Sequence, residues 1–217
     1  MESLTLDTVT KLFKFAMNVP GQKTWWITRL SMYKALKNRL ASEDREERNC
    51  LAISSSVEFG RNVLGLKKCT YTQANYPEQN LLSLRFPDSQ FDFCISDQVL
   101  EHVEGNPFKA FSESSRVIKP GGYVCHTTCF INGIHKTPGD FWRFTPDALR
   151  LMAKEAGLEP IIIGGWGNRE VMSILASPEL RYEGIPDDPN NPVYQLALKN
   201  DEDWPISVWI IARKPVT

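Results

Sequence analysis

Apolar positions change their period several times along this chain, and each change marks an element. Over residues 4–19 they recur at helical spacing (Leu4, Leu6, Val9, Leu12, Phe13, Ala16) with Lys11 and Lys14 between them. This predicts an amphipathic helix, stopped by Pro20-Gly21. A second helix is predicted over residues 25–40, with Trp25, Trp26, Leu30, Met32, Tyr33, Leu36 and Leu40 on a broad apolar side. Residues 41–49 carry a run of charge and read as a solvated linker. From there short apolar runs bounded by turn formers take over: 50–54, 68–73, 91–96, 123–128, 159–163 and 206–212, each a predicted strand.

Helical patterns lie between these runs. Residues 97–118 are helical in spacing with a break at Gly105-Asn106-Pro107, and Pro120-Gly121-Gly122 turns the chain into the next strand. A strand, crossover and strand of this length make one parallel unit. Thr145-Pro146-Asp147 has the composition of a helix start and opens a helix to Gly157, and residues 171–180 are helical again. Residues 182–200 are rich in Pro, Asp and Asn and are expected to form a surface insertion.

The run FDFCISDQVLEHV, followed by RVIKPGGYVCHTT, resembles the middle of the class I S-adenosylmethionine-dependent methyltransferases of the type 11-like group. The resemblance covers residues 50–130 well and the remainder weakly. It implies an α/β fold with a doubly wound, mostly parallel seven-stranded sheet of Rossmann-like type, preceded by N-terminal helices. It divides the chain into a helical cap and linker at 1–49 and a methyltransferase domain at 50–217, with a surface insertion at about 166–204. The aromatic stripe of the cap reads as core packing, against the sheet or a second subunit, or as a lid over a substrate pocket.

The resemblance also implies where S-adenosylmethionine would sit, and there this chain departs from the family. Where the family has an acidic residue and a Gly-x-Gly turn, the chain reads Ser54-Ser55-Ser56, with no glycine until Gly60. Small serines suit a remodelled cofactor loop, or one that no longer approaches a ligand. Asn75 stands at the family's ribose-binding carboxylate and Asn80 or Ser83 near its adenine-binding acid. Each loss of a charged hydrogen bond costs about 1–3 kcal/mol unless compensated. Ser96, Asp97 and Gln98 occupy the carboxyl end of the central strand, where ligands bind in open parallel sheets. Asp97 also suits a helix N-cap, and His102 reads as a packing residue or as a group facing the substrate.

After the next strand a polar and aromatic loop, residues 129–146, leaves the same edge, a position from which loops contact substrate. Its His followed by Pro-x-Asp-x-x-Arg-x-Thr resembles a loop of methyltransferases with small or saccharide substrates. His135 is the candidate general base, Asp140 the group that would orient it, and Arg143 a bidentate anchor for a substrate carboxylate or phosphate. A structural Asp140–Arg143 salt bridge with His135 exposed is the competing reading.

Composition narrows the partners. The 217 residues are 42% hydrophobic and 24% charged, with net charge −1, and pI near 6.3. One globular domain fits this balance, and nothing in it points to nucleic acid, so the expected substrate is a small molecule; the resemblance of the 129–146 loop implies a saccharide or natural product. Five cysteines without a CxxC pair suggest reduced core thiols in the cytoplasm, with no metal expected. No apolar run approaches the roughly 18 residues of a membrane span. The N-terminal helices offer a surface for a homodimer. The expected activity is methyl transfer to an oxygen or nitrogen; the alternative is a retained fold with lost or altered cofactor binding, acting as a binding partner or in other chemistry.

Overall fold

The computed structural model describes residues 6–136, 138–175 and 178–216. Its centre is a six-stranded sheet in the order β3-β2-β4-β5-β8-β6, made of β2 (Asn49–Ile53), β3 (Thr70–Ala74), β4 (Phe91–Asp97), β5 (Ile118–Cys129), β6 (Glu159–Trp166) and β8 (Ser207–Arg213). Neighbours β3, β2, β4 and β5 run parallel, while β8 is antiparallel to both β5 and β6. Strands β2 and β4 are apolar on both faces because each face is covered. One core cluster holds Leu36, Leu40, Phe93, Trp166 and Ile211; the other holds Leu51, Phe91, Phe111, Val124 and Met152.

The expected doubly wound, mostly parallel sheet is present, with six strands among the described residues rather than seven. Only residues 75–90 separate β3 from β4. A crossover helix alone takes about a dozen residues, so no room is left for a further edge strand. The segment makes instead a tight turn with an isolated bridge between Asn80 and Ser83.

Several boundaries moved for identifiable reasons. The first helix, α1, spans Leu6–Met17; Leu4, expected in it, lies outside the described residues. Trp25 and Trp26 belong to a short strand, β1 (Lys23–Trp26), and α2 starts only at Leu30 (Leu30–Leu40). Strand β1 pairs with β7 (Gly184–Pro186), and aromatic side chains suit such a pleated, half-buried pairing. The predicted helix at 97–118 is a single 3₁₀ turn, Leu100–His102, followed by α3 (Pro107–Val117). Asn106 caps α3, its side-chain oxygen accepting from Phe108 N–H, and Pro107 occupies the first turn. Pro120-Gly121-Gly122 lies inside β5 as an irregularity in its pairing with β4. Gly121 has φ +80, and a Cβ on Gly122 would come within 2.8 Å of Asp92 O.

Helix α4 (Pro146–Glu155) begins as expected, with Thr145 accepting from Ala148 N–H. Residues 171–180 divide into α5 (Arg169–Leu175) and α6 (Pro178–Arg181), with 176 and 177 outside the described residues. The expected surface insertion is instead packed structure. Its helix α7 (Pro192–Leu198) buries Val193, Tyr194 and Ala197, and Asn191 caps it while donating to Ala16 O. Ser31 of α2 donates to Ala197 O at 2.7 Å, and Arg29 donates to the Ser207 hydroxyl at 3.0 Å. The N-terminal segment and the 166–204 segment thereby meet beside the start of β8, next to the carboxyl edge of the parallel strands. Among the described residues no helix is long and apolar enough to cross a membrane.

Candidate active site

Two recesses open side by side at that edge and share Gln98 and His102 in their walls. The larger, about 460 Å³, lies beyond β2, β3 and β4 and is lined by Ile53, Ser54, Asn80, Asp97, Gln98 and Phe141 among others. Its volume falls in the range of small-molecule and cofactor sites. The smaller, about 120 Å³, lies beyond β5 under the cap, where Trp26, Arg29, Arg181 and Tyr182 face Gln98, His102, Asn132 and His135.

The turn after β2 keeps a glycine-like path without glycine. Ser54 and Ser55 have φ of 49° and 63°, a left-handed conformation that L side chains adopt at a cost. Hydrogen bonds hold it there: Ser54 N–H donates to Ala74 O at 2.9 Å and Ser55 N–H to Asn75 Oδ1 at 3.0 Å. The Asn75 oxygen also accepts from Gln73, so this amide braces the serine turn. Ser56 is buried; its hydroxyl donates to Ile53 O and accepts from Asp97 N–H, tying β2 to β4. Asn80 lines the cleft while its side-chain oxygen accepts from Leu82 N–H. Gly60, further along, packs against the Tyr71 ring and Ile95 with no space for a Cβ.

The end of β4 is equally well connected. Ser96 is fully buried and faces the core, where its hydroxyl meets His126 Nδ1 at 2.7 Å and Ser114 meets His126 Nε2 at 3.0 Å. Burial lowers His126 to about 3 from its ordinary 6.5, so the ring is neutral. Asp97 accepts from Tyr33 at 2.6 Å and from Thr127 at 2.5 Å. Burial, and next the Asp97 carboxylate, push the Tyr33 phenol above its ordinary range. Gln98, at φ 56°, donates its side-chain amide to Thr127 and to Thr128 O and presents its remaining surface to both recesses. Ser54, Asn80, Asp97 and Gln98 thus line one cleft, Asn75 and Ser55 support it from outside, and Ser56 and Ser96 are spent in the interior.

The loop after β5 is fixed by buried charge. Asp140, with a side chain 1% exposed, takes Arg143 in a bidentate pair at 2.5 and 2.8 Å and accepts from His135 N–H at 2.8 Å. Arg143 holds the Asp140 carboxyl well below the usual carboxylate range. The same guanidinium also donates to Asn132 O, Gly133 O and Trp142 O, so Arg143 clamps its own loop and has no fork left for a substrate anion. His135 is partly exposed, its Nδ1 3.2 Å from Gly133 O and 3.5 Å from Asp140. Its Nε2 lies 3.8 Å from Glu101, and that carboxylate raises His135 above the usual imidazole range.

Glu101 was not singled out by the sequence, since a carboxylate in a helical pattern ordinarily faces water. Here it is fully buried, one oxygen accepting from Thr128 at 2.8 Å and the other without a hydrogen bond. Glu104, exposed at the rim of the larger cleft, and Tyr33 escaped notice in the same way.

Residues 45–126 match the family model described as a methyltransferase domain. An uncharacterized methyltransferase of Schizosaccharomyces pombe is 42% identical over 73 residues, 34% of this chain and 26% of that protein. A protein of Mycolicibacterium smegmatis, named a probable S-adenosylmethionine-dependent methyltransferase, is 29% identical over 136 residues, 56% of this chain and 52% of its own length. These matches support a class I methyltransferase family for this chain.

The chain spans only a quarter to a half of the length of those two relatives in alignment. In fold it also resembles the crystal structure of the [4+2]-cyclase SpnF, with TM-score 0.54 at 17% identity over 97% of this chain and 94% of that one. At such identity the likeness speaks for the fold alone. The family implies S-adenosylmethionine, and the larger cleft suits it in two respects: the volume is sufficient, and the serine turn keeps the left-handed path on which close backbone approach depends. Asn75, expected at the family's ribose carboxylate, is neutral and its side-chain oxygen is already engaged by Ser55 N–H.

Proposed function

We propose that this domain, residues 50–217 under a cap formed by residues 1–49 and the 166–204 segment, transfers a methyl group to an oxygen or nitrogen of a small acceptor such as a saccharide or natural product. The observation that carries the reading is that the two recesses lie side by side and share Gln98 and His102 in their walls. A donor in the larger cleft and an acceptor in the smaller one would meet across these two side chains. S-adenosylmethionine, when bound, supplies an electrophilic methyl group. The chain supplies position and proton transfer: Ser54, Asn80, Asp97 and Gln98 face the donor, and His135 faces the acceptor as the group that takes its proton. Asp140 and Arg143 act as positioning residues, because they fix the loop that carries His135. Reduced, buried cysteines fit a cytoplasmic setting for this reaction.

Transfer of a radiolabelled methyl group to a panel of hydroxylated and aminated small acceptors tests this. His135→Ala should lower turnover by roughly 10²–10⁴ while leaving cofactor affinity nearly unchanged. Equal turnover in the variant would remove His135 from the reaction. A second reading, an altered cofactor site serving other chemistry or binding, is favoured by the engagement of Asn75 Oδ1 with Ser55. A chain that binds neither S-adenosylmethionine nor its demethylated product would be the outcome it expects.

A further inference from the structure

The unbonded oxygen of Glu101 calls for a partner. It is buried at 0% exposure and has no hydrogen-bond partner, and His135 Nε2 stands 3.8 Å from it, too far for a hydrogen bond. A carboxylate left so in an interior is costly, and such groups are ordinarily paired or bound to a cation. His102 completes the surroundings. Among the described residues Glu101, His102 and His135 each bring one donor atom to within 4.8 Å of the other two. The two imidazoles meet edge to face, 5.0 Å between ring centres.

We propose that Glu101, His102 and His135 form a site for one divalent first-row transition-metal ion at the junction of the two recesses. The groups behind the three ligands support it. His102 Nδ1 faces Gly139 O, and His135 Nδ1 faces Gly133 O at 3.2 Å; in the tautomer that donates Nδ1–H to these carbonyls, each ring offers Nε2 as the ligand atom. The other Glu101 oxygen is held by the Thr128 hydroxyl at 2.8 Å. Ligating histidines and carboxylates are oriented by just such outer partners. Two imidazoles and one carboxylate suit zinc, manganese, iron(II) or cobalt(II) better than magnesium or calcium, which prefer all-oxygen shells. With metal–ligand bonds of about 2.1 Å the donors must close in by roughly 1 Å, a movement within reach of side-chain rotation on the partly exposed His135.

His102 and His135 both line the smaller recess, so the open coordination positions face the acceptor. An acceptor oxygen bound there would lose its proton more readily, because the ion stabilises the oxyanion, and His135 would then act as ligand rather than base. This consequence rests on the methyl-transfer reading; ion binding itself does not.

Cobalt(II) and zinc are the probes, added to full-length protein first stripped with a chelator. One equivalent of cobalt should bind and develop visible d–d absorption, and zinc should displace it. Both signals should be lost in His135→Asn and Glu101→Gln, and Thr128→Val should weaken binding about ten- to a hundredfold. Thermal unfolding of each metal-free variant shows whether it folds; if buried Glu101→Gln does not, the half-buried His135→Asn decides. No binding, or binding undiminished in a folded ligand variant, overturns the site. Calorimetry of the stripped protein with S-adenosylmethionine is read alongside. A heat there without metal binding would sink the ion site and leave methyl transfer standing, and the reverse result would do the opposite.

Discussion

The two recesses of the carboxyl edge keep their shape by opposite means. On the side of β2, β3 and β4 the structure relies on backbone and neutral groups: left-handed Ser54 and Ser55, the Asn75 amide that holds them, and the Ser56 hydroxyl that joins β2 to β4. On the side of β5 it relies on buried charge, with Asp140 and Arg143 paired, Glu101 buried and His135 between the two carboxylates. The difference teaches that geometry can outlast the residues that usually produce it. The larger cleft keeps a left-handed turn without glycine, whereas the neighbouring loop adds buried ion pairs to its backbone hydrogen bonds.

Breaking the charged side should produce the largest effect. Asp140→Ala leaves Arg143 without its carboxylate, and because Arg143 is a quarter exposed the loss should sit near the lower end for buried pairs, about 3 kcal/mol, read by urea unfolding. A loss below measurement error would mean that the loop does not depend on the pair. On the neutral side Gly60→Ala should cost about 2 kcal/mol, since the new Cβ would meet Tyr71, whose hydroxyl is tied to Leu66 O, and Ile95 Cδ1 at 2.8 Å. A stability equal to the parent would show that the packing under the serine turn yields freely.

His126 lies under both sides, between Ser96 and Ser114, and gives the comparison a pH axis. Its folded value is lowered to about 3 from 6.5, so below pH 6.5 the unfolded chain takes up a proton that the folded one refuses. Stability should therefore fall between about pH 6.5 and 3, by up to about 1.4 kcal/mol per pH unit, and be unaffected by this group above that window. In His126→Gln that slope should flatten; an unchanged acid limb in denaturant titrations would assign it elsewhere. The smallest effect sharpens the neutral side: Asn75→Asp should tighten S-adenosylmethionine about fivefold, roughly 1 kcal/mol, by restoring a charged acceptor.

Much of this architecture was legible because it is periodic. The buried strands and the Thr145 cap each follow from local composition, and the six central strands all fall on predicted runs. What was not legible depends on partners distant in sequence. Trp25 and Trp26 carry helical spacing, yet they form a strand because residues 184–186 pair with them. Residues 182–200 have the composition of a loop, yet α7 is buried by the N-terminal helices. In the site, Ser54, Asp97 and Gln98 were singled out by their position at strand ends and Asn80 by the resemblance, and all four line the larger cleft. For Arg143 the sequence left open a substrate anchor or a salt bridge to Asp140, and the compact loop holds the salt bridge; only the fold reveals that Glu101 points inward.

Calorimetric titration of the full-length chain with S-adenosylmethionine tests the central claim, that the serine turn and Asn75 still frame a working donor cleft. The account predicts a saturable heat with one-to-one stoichiometry and a raised Tm. No heat and an unmoved Tm at millimolar ligand would contradict it.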